Sequence, residues 1–371
     1  MIYITIDLIA VFLMFLASLF YSTSNKVLLL NNDKMYVNFS AIIYRFFIII
    51  SCSLLVVVSA FRYEVGTDFD SYANRVVNQI ASGISNKEIL FQAIVKLSVI
   101  LGSTQWIFII TSVIIVVFLY KAILDQSKII FLSVFLIVFT TFYNFSLNAI
   151  RQAMATAIFL YAIKYISKKQ FWPFLFWIII AAGFHKMALI YIPIYFLRKF
   201  KIDKTNKILF VLFLAVLFSV FQNYIRKFVI ILASYTQYAN YIGSQFDNLS
   251  IYIPLSFLIL NILITLFIFF SSRYFIFKSN LQILIWIQLI ATVFSGISFS
   301  FPAGYRIIYL LIPIQIILIP NLISVYKTRT LRIFLILAVV IVYFALFYFF
   351  IIYANYNETL PYQINTSFLF N

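Results

Sequence analysis

Charged residues are scarce in this chain: they make up 10% of its 371 residues, whereas 65% are hydrophobic and the mean hydropathy is +1.07. No soluble domain could bury that much apolar surface, so the composition indicates a chain surrounded by lipid. Cysteine is limited to Cys52, inside an apolar run, which excludes an internal disulfide and a thiolate metal cluster. We therefore predict an all-α, polytopic transmembrane helical bundle that forms one integral membrane domain over residues 1–371.

The apolar runs follow one another with short breaks, and a bilayer core of about 30 Å needs roughly 20 apolar residues per helix. This pattern predicts about twelve spans. They lie at residues 2–22, 39–61, 104–123, 128–145, 149–167, 171–185, 187–198, 207–222, 250–271, 281–299, 305–324 and 331–353. No Lys or Arg precedes the first run, so we interpret it as a retained span rather than a cleaved signal.

The 27 Lys and Arg residues outnumber the 10 acids and give a net charge of +17. They are scattered between apolar runs without forming a basic stripe, which favours membrane topology over nucleic-acid binding. If residues 23–38 are cytoplasmic, most cations fall on that side, as the positive-inside rule requires, and both termini then face out. This alternation needs residues 87–101 to form a helix in the outer interface, and the regular spacing of Glu88, Gln92 and Lys96 supports one.

Two external loops are longer than a simple connection requires, at residues 62–103 and 223–249, and such loops often carry function. The first of these loops starts with the stretch from Arg62 to Tyr72, which contains Glu64, Asp68 and Asp70. Carboxylates so closely spaced are suited to act as a general base or to bind sugar hydroxyls. The alternative is a hydrated loop whose Gly-Thr-Asp stretch only caps the next helix.

Arg151 lies at the predicted outer entrance of the fifth span, where the positive-inside rule does not explain it. Its planar guanidinium is suited to bidentate contact with phosphate oxygens. Asn148 and Gln152 lie one turn apart on the same helix face, which favours a binding surface. The alternative is an arginine whose head reaches the interface from a helix end. Tyr305 and Arg306 begin another span from the same predicted side.

His185 is the only histidine, at the outer junction of two short spans, and Lys186 follows it. Imidazole can transfer a proton near neutral pH, although a membrane histidine more often joins helices by a hydrogen bond. A zinc site is not expected, because the chain has no second histidine and no usable cysteine. Phosphate-loop and dinucleotide motifs are absent, so we predict no cofactor. Together, the cations on the predicted outer face would form one cavity around Asp68, Asp70 and His185. Such a cationic cavity beside carboxylates is suited to a lipid-linked diphosphate that donates sugar.

At these residues the chain resembles the EpsG family of bacterial exopolysaccharide proteins, a Wzy-like group of polymerases. The likeness lies in Val65-Gly66-Thr67-Asp68 with Tyr72, in Arg151-Gln152 with Ala155, and in Phe184-His185-Lys186, in order and spacing over about residues 20–350.

The resemblance implies a metal-free polymerase in the bacterial cytoplasmic membrane, active in exopolysaccharide, capsule or O-antigen synthesis. Its substrate would be undecaprenyl-diphosphate-linked oligosaccharide, and its further partners would be membrane lipids and other polysaccharide-export proteins. The resemblance makes Asp68, Arg151 and His185 the catalytic candidates. The expected substrate-binding residues are Arg62, Asp70, Tyr72, Gln152, Lys186, Tyr305 and Arg306.

Two other functions remain open at this stage. A flippase or other transporter of the same lipid-linked sugar would place ionisable residues near the membrane midplane, along a two-sided channel. A membrane acyltransferase that modifies surface glycans would use His185 as its base.

Overall fold

The computed structural model describes residues 2–24, 39–83, 88–202, 205–234, 242–243, 252–301 and 304–370. Within these ranges every regular element is helical, and an isolated antiparallel bridge joins Arg62 to Ile364. The predicted all-α class is therefore confirmed. In the predicted external loop at 223–249, residues 223–234 belong to the helix Gln222–Ser234, and the rest, except residues 242–243, lies outside the described residues.

The helices follow one another along the chain with short connections. In chain order they are α1 (Ile2–Ser24), α2 (Phe39–Ala60), α3 (Val76–Ala81, after a π-helical turn at Ser71–Arg75), α4 (Ile89–Ile100), α5 (Gln105–Gln126), α6 (Ile130–Phe139), α7 (Phe142–Asn148), α8 (Ile150–Ser167), α9 (Phe171–Phe184), a 3₁₀ helix (Lys186–Lys199), α10 (Thr205–Val220), α11 (Gln222–Ser234), α12 (Tyr252–Tyr274), α13 (Ser279–Ile297), α14 (Tyr305–Leu311), α15 (Gln315–Ser324), α16 (Arg329–Phe347) and α17 (Thr366–Phe370).

Seven helical stretches in the described part of the chain are long and apolar enough to cross a membrane, so this is a multi-pass membrane protein. Two bent pairs raise the number to as many as nine: α6 with α7, bent by 50°, and α10 with α11, bent by 71°. The predicted number of about twelve is not confirmed. The other three predicted spans correspond to α8, α9 and the 3₁₀ helix. With 14 residues, α9 is about 21 Å long, short of a bilayer core of about 30 Å.

Contacts divide the chain into two compact units. The first comprises Met1–Tyr165, Gln170–Ile192 and Ile319–Asn371. Helix α8 lies in its interior, and small residues such as Ala153, Ala155 and Ala157 are fully buried there. Small side chains allow neighbouring helices to approach closely when lipid provides no hydrophobic drive between them. The prediction of one membrane domain is not tested by this division and stays a prediction.

The second unit comprises Ile166–Lys169 and Pro193–Leu318. Three buried amides join its helices: Gln288 Nε2 donates to Asn261 Oδ1 at 2.6 Å, and Gln315 Nε2 donates to the same oxygen at 3.0 Å. Asn261 Nδ2 in turn donates to Ser295 Oγ at 2.8 Å. Each amide is satisfied by its neighbours, which is what an apolar surrounding requires of polar groups. We regard this cluster as structural.

Helix α4 covers the stretch predicted as an interfacial helix at residues 87–101. With 12 residues it is about 18 Å long, too short to span a bilayer. Its buried face holds Phe91, Ile94 and Val95, whereas Ile89 and Ile100 are more than three-quarters exposed. Exposed aliphatic side chains suit contact with lipid. Its location in the interface is untested and stays a prediction.

Candidate functional site

Three charged or titratable side chains from distant parts of the sequence meet in the first unit. Glu88 stands directly before α4, Arg151 is the second residue of α8, and His185 follows the last residue of α9. Each lies at a helix end, where the backbone is no longer closed by intrahelical hydrogen bonds. The backbone of His185 is extended, which turns the chain from α9 into the 3₁₀ helix. Helix ends thus bring the three side chains together.

Glu88 is the centre of this group and uses both of its carboxylate oxygens. Arg151 Nη1 donates to Oε2 at 2.6 Å. The backbone N–H of Lys186 donates to Oε1 at 3.2 Å, and His185 Nδ1 lies 3.4 Å from that oxygen. At 3.4 Å this contact is longer than an ordinary N–H···O hydrogen bond.

Glu88 is 8% exposed, and its neighbours favour the ionised form of its carboxylate. Burial raises its pKa, but the His185 imidazole, the Arg151 charge and two backbone N–H groups outweigh burial, so the pKa lies well below the usual range. Because the pKa is lower in the folded than in the unfolded state, the pairing stabilises the fold above a pH of about 4.3. That contribution is lost only as the pH falls through the lower folded value.

The guanidinium of Arg151 is held from a second side by aromatic residues. The Tyr72 hydroxyl bonds to it, and the guanidinium carbon lies 5.7 Å from the centre of the Phe91 ring. Tyr72 and Phe91 are themselves in edge contact, with ring centroids 5.7 Å apart. Among the described residues, Arg151 Nε has no hydrogen-bond partner although it is buried. A fixed guanidinium whose side chain is still 23% exposed is suited to an anion brought by a substrate.

The Gly66-Thr67-Asp68 stretch is attached to Asn148, three residues before Arg151. Asn148 Oδ1 accepts hydrogen bonds from Thr67 Oγ1 at 3.1 Å and from the Asp68 backbone N–H at 3.2 Å. The Asp68 carbonyl accepts from the backbone N–H of Tyr72 at 3.2 Å. The backbone of Asp68 is therefore linked to Asn148, which precedes α8 and Arg151, and to Tyr72, whose hydroxyl bonds to Arg151.

A close approach at Gly66 makes this attachment possible. Gly66 has φ +97°, and a Cβ there would lie 2.5 Å from Asn148 Oδ1. Only glycine combines this backbone angle with so short a distance. The glycine next to the acids thus has a definite structural reason.

The other predicted site residues have different surroundings. Arg62 is 1% exposed and donates to the carbonyls of Ser59 at 3.0 Å and Leu147 at 2.7 Å, so its guanidinium braces the main chain. Asp70 is exposed and accepts from Asn74 Nδ2 at 2.6 Å.

Gln152 is 6% exposed, whereas Lys186 is exposed. Arg306, partly buried in α14, belongs to the second unit, and the side chain of Tyr305 lies outside the described side chains. The structure therefore brings together Tyr72, Arg151 and His185 of the predicted set. Arg62 and Gln152 are also buried, and none of the described hydrogen bonds joins either of them to Glu88.

Sequence reasoning treated Glu88 only as the first residue of a polar stripe and missed its place in the site. The available signal was an acid directly before an apolar helix in a chain with 10 acids. Among the described residues no group of three or more His, Cys, Asp or Glu side chains is placed to hold a metal ion.

Fold and site together define a multi-pass helical membrane protein with a carboxylate–arginine–histidine cluster at its helix ends. The EpsG family model matches residues 45–364, which include every member of the cluster, and the chain belongs to the EpsG family. The resemblance read from the sequence is thus confirmed. No curated protein and no solved structure matches the chain.

Proposed function

We propose that this protein is a polysaccharide polymerase that joins undecaprenyl-diphosphate-linked oligosaccharides at the outer face of the bacterial cytoplasmic membrane. Membership of the EpsG family supports a polymerase-like membrane protein. The observation that carries the proposal is the fixed, partly buried Arg151 guanidinium, which shares the Glu88 carboxylate with the only histidine of the chain. Ionisable residues inside membrane proteins are costly and usually mark a functional site.

The proposed reaction needs two kinds of group, and the cluster contains both. A hydroxyl of the acceptor sugar attacks the anomeric carbon of the donor, and the bond from that carbon to the diphosphate oxygen breaks. The diphosphate leaves with the electron pair, and the hydroxyl proton passes to a base. Arg151 stabilises the charge that develops on the diphosphate, with the exposed Lys186 nearby in sequence. His185 and Asp68 are the candidate bases.

The remaining predicted residues would bind sugar or diphosphate around this centre. Asp70 is exposed and able to accept hydrogen bonds from sugar hydroxyls, and the Tyr72 hydroxyl already bonds to Arg151. Roles for Gln152, Tyr305 and Arg306 rest on the sequence alone. For Arg62 we propose an indirect role, since its Nη1 and Nη2 donate to main-chain carbonyls.

Substitution of Arg151 tests the proposal. We expect Arg151→Ala to lower polymer formation by roughly 100-fold or more, because a contact that strengthens in the transition state is lost. Arg151→Lys keeps a positive charge next to Glu88 but loses the planar fork, so we expect an intermediate loss. Lys96→Ala, which removes an exposed cation from α4, is the matched control and should leave polymer unchanged.

The measurement is the size distribution of lipid-linked glycans in cells, with the amount of protein in the membrane as a check on folding. Single repeats accumulating on the outer leaflet of Arg151→Ala or deletion cells support a polymerase. Repeats retained on the inner leaflet indicate a flippase, and full-length polymer that lacks acyl groups indicates an acyltransferase. Either of the last two results overturns the proposal.

A further inference from the structure

The geometry points to Glu88 as a positioning residue that orients His185 to act as the base through Nε2 and holds Arg151 in place. This inference rests on the proposed function and deepens it, because the family likeness does not distinguish His185 from Asp68 as the base. The likeness also does not single out Glu88.

The two carboxylate oxygens of Glu88 contact different groups. Oε2 accepts from Arg151 at 2.6 Å, and Oε1 faces His185 Nδ1 at 3.4 Å and the Lys186 N–H at 3.2 Å. One short side chain therefore sets the separation between the anion-binding group and the imidazole. Such control matters because a displacement of about 1 Å of a reacting group can cost roughly 100-fold in rate.

The Glu88 carboxylate determines which ring nitrogen of His185 carries the proton. Nδ1 is buried and faces the carboxylate, while the side chain as a whole is 21% exposed. A carboxylate beside Nδ1 favours the tautomer with the proton on that nitrogen, which leaves a lone pair on Nε2. Nε2 is therefore the nitrogen that takes the proton from the acceptor hydroxyl.

Glu88 itself is not suited to act as the base. The carboxylate is 8% exposed, and each oxygen already faces a donor. Its lowered pKa makes it a weak base near neutral pH. Its contribution is to stabilise the imidazolium that forms when Nε2 receives the proton, as a carboxylate does for histidine in hydrolase triads.

The titratable and charged groups around the imidazole come from several elements. Glu88 approaches it from the start of α4, Arg151 binds the same carboxylate from the start of α8, and Lys186 is the next residue in the chain. Tyr72 is connected to it through Arg151. Glu88 is the acid among these groups, so Glu88→Gln removes the negative charge beside the imidazole.

The test is the elongation kinetics of purified protein in liposomes, with short lipid-linked repeats as the substrate. We expect Glu88→Gln to lower kcat by roughly 100-fold. We also expect the KM for the repeats to change far less than kcat, because Glu88 acts through His185 and Arg151 and does not itself contact the substrate. Glu88→Asp, which keeps the charge on a shorter side chain, should recover part of kcat. Glu358→Gln, at an exposed acid of the same unit, is the matched control.

Two outcomes overturn the inference. Native kcat in Glu88→Gln would show that Glu88 does not act on the base. An equal loss of kcat in Glu88→Gln and Glu88→Asp, together with lowered melting temperatures, would assign it a structural role only. Failure of the proposed function looks different, because the native protein itself would then not elongate the lipid-linked repeats.

Discussion

At the scale of single residues, Gly66 and Gly83 allow a contact to be separated from a backbone angle. Both have positive φ, +97° and +75°, which costs alanine about 1–2 kcal/mol. A Cβ at Gly66 would meet Asn148 Oδ1 at 2.5 Å, whereas no described atom lies within 4 Å of one at Gly83. The two alanine variants share the backbone cost and differ in the contact with Asn148.

We therefore expect Gly66→Ala to lose polymer formation by about 10-fold or more, because a shift of Asn148 displaces the start of α8 and with it Arg151. Gly83→Ala should show a small fall in melting temperature and nearly native polymer. Polymer length and thermal unfolding in detergent are the measurements. Equal losses in the two variants would show that the Gly66–Asn148 contact does not matter for activity.

Single residues also show how far the sequence alone leads. Arg151 and His185 could be singled out because a lone cation or the only histidine is conspicuous at the end of an apolar run. Their shared partner could not, since Glu88 is 63 positions from Arg151 and joins it only through tertiary packing. The buried environment of Arg62 was equally hidden, because an arginine in a loop gives no sign that main-chain carbonyls occupy it.

At the scale of helices, α4 and α9 approach closely at Gly183. A Cβ at this glycine would lie 2.6 Å from Leu90 Cδ1 and 2.7 Å from Leu90 Cγ. Leu90 stands two residues after Glu88, and Gly183 stands two residues before His185. The distance between the two helices therefore controls the distance between the carboxylate and the imidazole.

This packing predicts opposite local and tertiary effects for Gly183→Ala. Alanine favours a helix over glycine by about 1 kcal/mol, yet it should push α4 away and lower the elongation rate. Leu90→Ala makes room, so the double variant should recover part of the rate lost by Gly183→Ala. The elongation rates of both single variants and the double variant form a mutant cycle. Purely additive effects would show that this helix contact does not set the site geometry.

Straight helices could be predicted from the sequence pattern, whereas a bend within a span could not. Long apolar runs predicted α1, α2 and α5 closely, since length and composition alone define a straight span. The break between α6 and α7 has no proline or glycine, and Thr141 adopts φ +61° there. Such a bend depends on tertiary packing, and an apolar run gives no indication of it.

At the scale of the whole molecule, the charge distribution predicts sidedness. The described residues of the second unit include no acid, and their cations are concentrated near residues 198–207 and 273–278. Residues of this kind remain on the cytoplasmic side under the positive-inside rule. Polymerisation of lipid-linked repeats at the outer face requires the opposite side for the segment that contains Tyr72.

Cys52 makes this prediction measurable, because a chain with one cysteine becomes cysteine-free in a Cys52→Ser background. Asn78 in α3 and Lys278 before α13 are both exposed and lie outside the carboxylate–arginine–histidine cluster. We expect a membrane-impermeant maleimide to label Asn78→Cys in intact cells and Lys278→Cys only in inside-out vesicles, because an impermeant reagent reaches a thiol only from the side on which it is added. Asn78→Cys labelled only from the cytoplasmic side would place the Tyr72 segment where an outer-leaflet acceptor cannot reach it, and polymerisation at the outer face could not stand.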